Sequence, residues 1–222
     1  MKNFLFLIAA VMVSALYSCG QATKGNKQTA QKPDIKVGGS CEGCEAIYEC
    51  PVPFDSLTMF AWLPDWNQDS SRIAINGTVY NPDGTPAPNV IVYIYHTDQT
   101  GVYPKKGDEK GWSARHGYLR GWMRTNEKGE YKFFTRRPAS YPGSSNPQHI
   151  HVFIKEPGKS EYWIDEYLFD DDPFLTAEQR KRCGNRGGSG ILKIGDRYKG
   201  RDILKSERNI YLGKNIPGYP AS

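Results

Sequence analysis

The chain has 222 residues, with 29 Lys and Arg against 24 Asp and Glu and a net charge of +5. The basic residues are scattered and form no cationic block interleaved with aromatics, so a nucleic-acid partner is excluded and the excess reads as solvated surface charge. Aromatic residues make up 13% of the chain, beside 23 Gly and 15 Pro, a composition suited to short strands and turns rather than to a helical bundle.

The first segment is a targeting element. Lys2 gives it a positive start, and Phe4 to Val13 is an apolar run of about ten residues, too short to span a bilayer but right for the core of a signal peptide. Leu16-Tyr17-Ser18-Cys19 follows, and a small residue directly before a Cys at this place resembles a bacterial lipobox. That resemblance implies a signal peptide over 1–18, a lipidated Cys19, and a protein exported and anchored to a bacterial membrane by lipid, in the periplasm or at the cell surface. Gly20 to Gly39 is rich in Gln, Lys, Thr and Gly and nearly free of large apolar groups, which predicts a flexible tether over 19–40. The remainder, residues 41–222, is long enough for one domain with its own core. Cys41, Cys44, Cys50 and Cys183 are an even set in an oxidising compartment and predict two disulfides, with three possible pairings. The Cys41-x-x-Cys44 spacing also suits a zinc site; the compartment favours the bridges.

Within the domain, Arg72 to Tyr80 alternates as a strand does and ends on Asn81-Pro82-Asp83-Gly84, a strong turn signal. Val90 to Tyr95 is a β-branched and aromatic run. Glu127-Lys128-Gly129 turns into a strand over Glu130 to Thr135, and His149 to Lys155, Tyr162 to Phe169 and, more weakly, Asn209 to Leu212 follow. Thr176-Ala177-Glu178-Gln179, just after Pro173, has the capping-box pattern of a helix start. The stretch from His96 to Arg124 has no clear period, but Tyr103, Trp112, His116, Tyr118 and Trp122 mark it as an ordered functional loop. The fold class is therefore mostly β, a sandwich with long loops and little helix.

Residues two apart on a strand share a face, so His149 and His151 point together while Ile150 and Val152 point the other way. Two same-face imidazoles are a ready pair of metal ligands. Copper and zinc sites use the same pair, and His96 or His116 could complete one; structural histidines on surface strands show it too.

The surrounding motifs narrow the choice. Asn76-Gly77-Thr78-Val79, Gly84-Thr85-Pro86-Ala87-Pro88-Asn89-Val90, Asp98-Gln99-Thr100-Gly101-Val102-Tyr103 and the run from Tyr131 to Tyr141-Pro142 precede His149-Ile150-His151 in fixed order. Together, from about Ile73 to Phe174, they resemble the intradiol ring-cleavage dioxygenases, the family of protocatechuate 3,4-dioxygenase and the catechol 1,2-dioxygenases. The resemblance implies a β-sandwich core and one non-haem Fe(III) held by Tyr103, Tyr141, His149 and His151. It implies O2 and a small aromatic diol as substrates, and cleavage between the two oxygenated carbons to a muconate-type diacid. Hard Fe(III) prefers anionic oxygen ligands, and two tyrosinates with one hydroxide bring the site to zero charge. A catecholate dianion replacing the hydroxide and one tyrosinate keeps that count. The resemblance gives the leaving, proton-accepting role to Tyr141 and leaves Tyr103 bound. Two positions depart from the family pattern. Asn146 stands three residues before His149, where an Arg is common, and Glu166 stands on the following strand, where a Gln is common. Arg120, Arg124, Arg136 and Arg137 are candidates to replace the missing cation. Loss of the Arg also leaves room for a second reading, a lipid-anchored β-sandwich binding module without turnover.

Overall fold

The computed structural model describes residues 34–68, 71–195, 197 and 202–221. The expected signal segment 1–18, the expected lipidation site Cys19 and the expected tether up to residue 33 lie outside the described residues. Residues 34–40, placed in the tether by composition, run along the domain. Ile35 N–H donates to the Gly158 carbonyl (2.9 Å), Gly38 N–H donates to the Pro217 carbonyl (2.7 Å), and Val37 is buried in the core.

Among the described residues the strands are β1 (Phe60–Trp62), β2 (Arg72–Tyr80), β3 (Ile91–His96), β4 (Arg120–Arg124), β5 (Glu130–Arg136), β6 (His149–Lys155), β7 (Tyr162–Trp163), β8 (Tyr167–Phe169), β9 (Ile191–Leu192), β10 (Leu204–Glu207) and β11 (Ile210–Tyr211). Two short α-helices, α1 (Ser113–His116) and α2 (Ala177–Arg182), interrupt them. One sheet has the order β1-β5-β2-β10, with β11 also on β2; the other has the order β4-β3-β6-β8-β9, with β7 on β6. The β-branched and aromatic content of β2, β3, β5 and β6 favours this extended, half-buried geometry. As expected from its capping box, α2 begins at Thr176, whose Oγ1 accepts from Gln179 N–H while Gln179 Oε1 accepts from Thr176 N–H. The predicted strand over Tyr162 to Phe169 is broken in two at Ile164–Glu166.

The sheets face each other across one apolar core. Ile73, Ile75 and Val79 from β2 and Tyr131 and Phe133 from β5 meet Val92 and Ile94 from β3 and Ile150, Val152 and Ile154 from β6. Each such side chain, fully buried, contributes about 1.5–3 kcal/mol. The outer face of the second sheet is covered as well. There Ile91, Tyr93, Tyr95 and Phe153 pack against Cys44, Ala46 and Ile47 of the preceding 3₁₀ turn (Cys44–Glu49). Burial on both faces is why β3 is apolar without alternation. It also fixes where the two histidines point: Ile150 and Val152 enter the inter-sheet core, and His149 and His151 share the outer face with Phe153.

On the first sheet, β10 and β11 lie one after the other, parallel, along the β2 edge remote from β5. The chain steps between them at Arg208, whose N–H donates to the Asn76 carbonyl (3.0 Å). Gly77 allows that approach, because a Cβ there would stand 1.7 Å from the Arg208 carbonyl oxygen.

The cysteines correct the expectation of two bridges. Cys41 and Cys44 form one disulfide, with Cα atoms 5.7 Å apart, which settles the C-x-x-C spacing as a bridge. Cys50 and Cys183 are free. Cys50 closes the 3₁₀ turn beside Glu49, whereas Cys183 closes α2 with its Sγ on the Gln179 carbonyl (3.6 Å). The two thiols stand at the ends of separate elements and form no bridge.

Candidate active site

The site forms where two loops meet the outer face of β6. The first leaves β3 and turns at Asp98. Asp98 Oδ1 accepts from Thr100 N–H (2.8 Å) and Thr100 Oγ1 (2.7 Å), closing a tight turn that presents Tyr103. The second follows β5 and carries Tyr141. The two are joined by the Ala139 N–H donating to the Asp98 carbonyl (3.0 Å) and Thr97 Oγ1 donating to the Ala139 carbonyl (2.7 Å). Gly101 (φ +79°) makes their contact possible: a Cβ on it would lie 1.9 Å from the Ser140 carbonyl oxygen. The glycine of the Gly-x-Tyr pattern thus places the Tyr103 loop directly against the residue before Tyr141.

The four aromatic donors converge. Tyr103 Oη lies 2.5 Å from Tyr141 Oη and 2.8 Å from His151 Nε2. Tyr141 Oη lies 3.0 Å from His149 Nε2 and 3.4 Å from His151 Nε2. Two ligands about 2.1 Å from a common ion and at right angles stand about 3 Å apart, so these spacings fit one bound metal. The hydrogen bonds on the far side of each ring fix its tautomer. The Pro147 carbonyl can only accept, so His149 carries its proton on Nδ1 (2.7 Å), and His151 Nδ1 donates to Glu166 Oε1 (2.9 Å). Both Nε2 lone pairs therefore face the phenols, and the outer partners orient the rings. The approach to β6 is pinned by Asp172, whose Oδ2 accepts from Gln148 N–H (2.5 Å).

The electrostatics agree with a cation at this point. Burial, first, pushes both phenols above their ordinary pKa; the hydrogen bond and charge of Tyr141 push Tyr103 further. Neither becomes a phenolate at neutral pH unaided, but a multivalent cation would remove the proton. Burial and then the neighbouring His151 push His149 down, so it stays neutral with a free lone pair. Burial alone would raise the Glu166 carboxyl, but the hydrogen bond from His151 and the favourable electrostatic interaction with the two imidazole rings outweigh it and hold it below the usual carboxylate range.

The other two histidines do not join this cluster. His96 is buried, its Nδ1 donating to the Thr97 carbonyl and its Nε2 accepting from Thr135 Oγ1, each at 2.6 Å. His116 stacks on Tyr95 (3.7 Å between centroids) and bonds Tyr93 through Nδ1. Tyr95 in turn stacks on His151 (4.4 Å, 16° between planes), so the ligand ring has a flat aromatic backing.

A cavity of about 580 Å³ opens beside the cluster. His151, Glu166 and Tyr95 form part of its wall, and Gln179, Arg182 and Cys183 reach it from α2. The disulfide loop contributes Cys41 and Glu42. No sequence motif announced the α2 residues, because a surface helix that turns three side chains toward a cleft reads like any other polar helix. Asn146 is exposed on the turn after Tyr141, its N–H donating to Ser144 Oγ (3.3 Å), and it stands outside the cavity lining. Of the arginines considered to replace the family cation, Arg120 pairs with Glu49 (2.7 Å), Arg124 with Asp55 (3.7 Å) and Arg137 with both oxygens of Asp171 (2.7 and 2.8 Å). None of these three lines the cavity, and neither does Arg136.

Two packed β-sheets that bring two phenols and two imidazoles to one point define a mononuclear metal-site candidate of the kind that serves oxygen chemistry. The family model described as dioxygenase (Dioxygenase_C) matches residues 55–182, more than half of the chain, and the chain belongs to that family. It is 24% identical over 185 residues to catechol 1,2-dioxygenase 1 of Acinetobacter lwoffii, covering 72% of this chain and 58% of that one. It is 27% identical over 111 residues to the protocatechuate 3,4-dioxygenase beta chain of Burkholderia cepacia, covering 47% of each. Among solved structures, wild-type catechol 1,2-dioxygenase of Acinetobacter radioresistens matches with a TM-score of 0.54 at 18% identity, over 74% of this chain and 60% of that one, a likeness of fold. The chain spans about half the length of the curated relatives it matches.

Proposed function

We propose that the protein is an intradiol dioxygenase that cleaves a catechol-type ring with O2 by means of a non-haem Fe(III) held by Tyr103, Tyr141, His149 and His151. The observation that carries this reading is the convergence of two phenol oxygens 2.5 Å apart, each also within 2.8–3.4 Å of at least one oriented Nε2 atom. Ferric iron bound there would supply the Lewis acidity and oxidising character that let a catecholate ring carbon react with O2.

The protein's own groups then divide the work. Tyr103 is confined between Tyr95 (5.7 Å between centroids) and the Tyr141 loop, which suits a ligand that stays. Tyr141 sits at the base of the turn 141–148, where Pro142, Gly143, Ser145 and Asn146 are exposed, so its ring can swing with little loss of packing. Displaced by the diol, Tyr141 Oη would take one of its hydroxyl protons. Glu166, fixed on His151 Nδ1, keeps that imidazole aligned and makes it a stronger donor. Ring opening between the two oxygenated carbons consumes one O2, both of whose atoms enter the diacid.

The test is to load the protein with iron and supply catechol under O2. A visible tyrosinate band, O2 uptake and a muconate-type diacid carrying both oxygen atoms are expected. Extradiol aldehydes, or a colourless protein holding stoichiometric zinc, would overturn the proposal. Catechol binding with a colour change but no O2 uptake would favour the binding-module reading, for which the exposed, uncharged Asn146 speaks. We further propose that the protein acts outside the cytoplasm, held to a membrane through lipidated Cys19.

A further inference from the structure

The cavity beside the donor cluster carries charge mostly of one sign. Its lining has three carboxylates, Glu42, Asp165 and Glu166, and one cation, Arg182, among the described residues. Glu42 pairs with Arg115 (2.7 Å) and Arg182 with Glu178 (3.4 Å), and all four side chains are more than half exposed. Each pair is close to neutral and screened by solvent.

Asp165 and Glu166, between β7 and β8, behave differently. Asp165 accepts from the backbone N–H groups of Asn185 (2.7 Å) and Arg186 (3.1 Å), which fix its carboxylate without cancelling the charge. The Arg186 guanidinium feels Asp165 but is turned to the Gly38 carbonyl (2.9 Å) and lies over the Trp163 ring (3.4 Å). Glu166 accepts from His151 Nδ1 (2.9 Å), and its carboxylate is part of the same wall. Tyr95, Phe153 and Trp163 supply aromatic walls. Carboxylates in a cleft whose one cation is already paired attract an organic ammonium and repel a carboxylate. Arg120, Arg124 and Arg137 are committed to carboxylates elsewhere and offer no receptor for an anionic substituent.

We propose that this cavity selects catechols whose ring substituent ends in an ammonium over those whose substituent ends in a carboxylate; the inference rests on the catechol reading above and names its substrate class.

The experiment uses the iron-loaded full chain and three probes of similar size: 4-(2-aminoethyl)catechol, 4-ethylcatechol and 3,4-dihydroxyphenylacetate. Affinities are measured by calorimetry without O2, and kcat/KM by O2 uptake. The ammonium probe should bind about tenfold tighter than the carboxylate probe, with the neutral one between, and the ratio should shrink as salt rises toward about 1 M. Asp165→Asn should lower the ratio of ammonium to neutral affinity severalfold; because a ratio is read, a general loss in the variant cancels. If the variant does not fold, the salt series on the unaltered protein decides. Equal or tighter binding of the carboxylate probe, or an ammonium preference indifferent to salt, overturns the selection. The affinity order without ring cleavage upholds the selection and overturns only the catalytic reading. Cleavage of all three with equal affinity does the reverse.

Discussion

Replacing Gly101 by Ala should unfasten the two loops that carry the phenol oxygens. The backbone there has φ +79°, and the new Cβ would stand 1.9 Å from the Ser140 carbonyl oxygen. The left-handed conformation alone costs a non-glycine residue about 1–2 kcal/mol. The overlap adds to this, since Cβ contacts below about 3 Å do not persist and the loops must part by about 1 Å. That movement strains the Ala139–Asp98 and Thr97–Ala139 hydrogen bonds, which link the loops and contribute about 1 kcal/mol each. A total destabilisation of roughly 3 kcal/mol is expected, read as a shift in the urea midpoint at unchanged slope. Tyr103 Oη should leave the other donors, so iron content and the visible band should fall together. Gly84→Ala is the control: its φ is +84°, yet nothing lies within 4 Å of the added Cβ. It therefore carries the backbone strain without the collision. If Gly101→Ala costs no more than Gly84→Ala and holds iron normally, the loop contact does not position the phenols and the reasoning fails.

Other predictions are more direct. Glu166→Gln keeps an acceptor for His151 Nδ1–H but removes the charge, so iron affinity should fall about tenfold, and Glu166→Ala should lose more, up to about a hundredfold; metal competition titrations showing no change would remove Glu166 from the site's support. His96, pushed down to about 4 chiefly by burial, stays neutral in the folded state, whereas the unfolded chain takes up a proton near pH 6.5. Stability from this group is thus complete above about pH 6.5 and is lost as pH falls toward 4, by roughly 3 kcal/mol in all. His96→Gln should flatten that part of the denaturation profile, and an equally steep fall in the variant would contradict the assignment. Cys19→Ala should release the protein from membranes or block its processing; a mature N-terminus cut elsewhere and lacking acyl chains would exclude the anchor.

Much of the framework is legible in the amino-acid order because one physical signal dominates there. β2 and β6 fall where alternation and β-branched content put them, and α2 starts where Thr176 and Gln179 cap it. The same-face rule for His149 and His151 needs only a strand, and a strand is what forms. The short pieces are another matter. β1, β4, β7 and β9 have from two to five residues, too few to show a period, and their pairing comes from neighbours far along the chain. Tyr162 to Phe169 reads as one strand by composition, yet Asp165 and Glu166 leave the ladder to face Arg186 and His151. An even number of cysteines says nothing of distance, and so Cys50 and Cys183 remain thiols. The cavity is the least legible part, since residues 41–42, 95, 151–153, 163–166, 168, 179 and 182–184 meet there only after the chain has folded.

The parallel seam of β10 and β11 along β2 has a consequence for how the chain can be shortened. Those few residues cover the flank of a nine-residue strand whose other side is already taken by β5. Without them the N–H and C=O groups of that flank would face water in a row, beside an apolar interior, and would pair with whatever strand came near. A product ending before residue 203 would retain every donor of the candidate metal site and still behave as an adhesive sheet, prone to joining its own copies. The last segment therefore acts as a selvedge: it adds nothing to the chemistry and keeps the fabric from fraying into its neighbours.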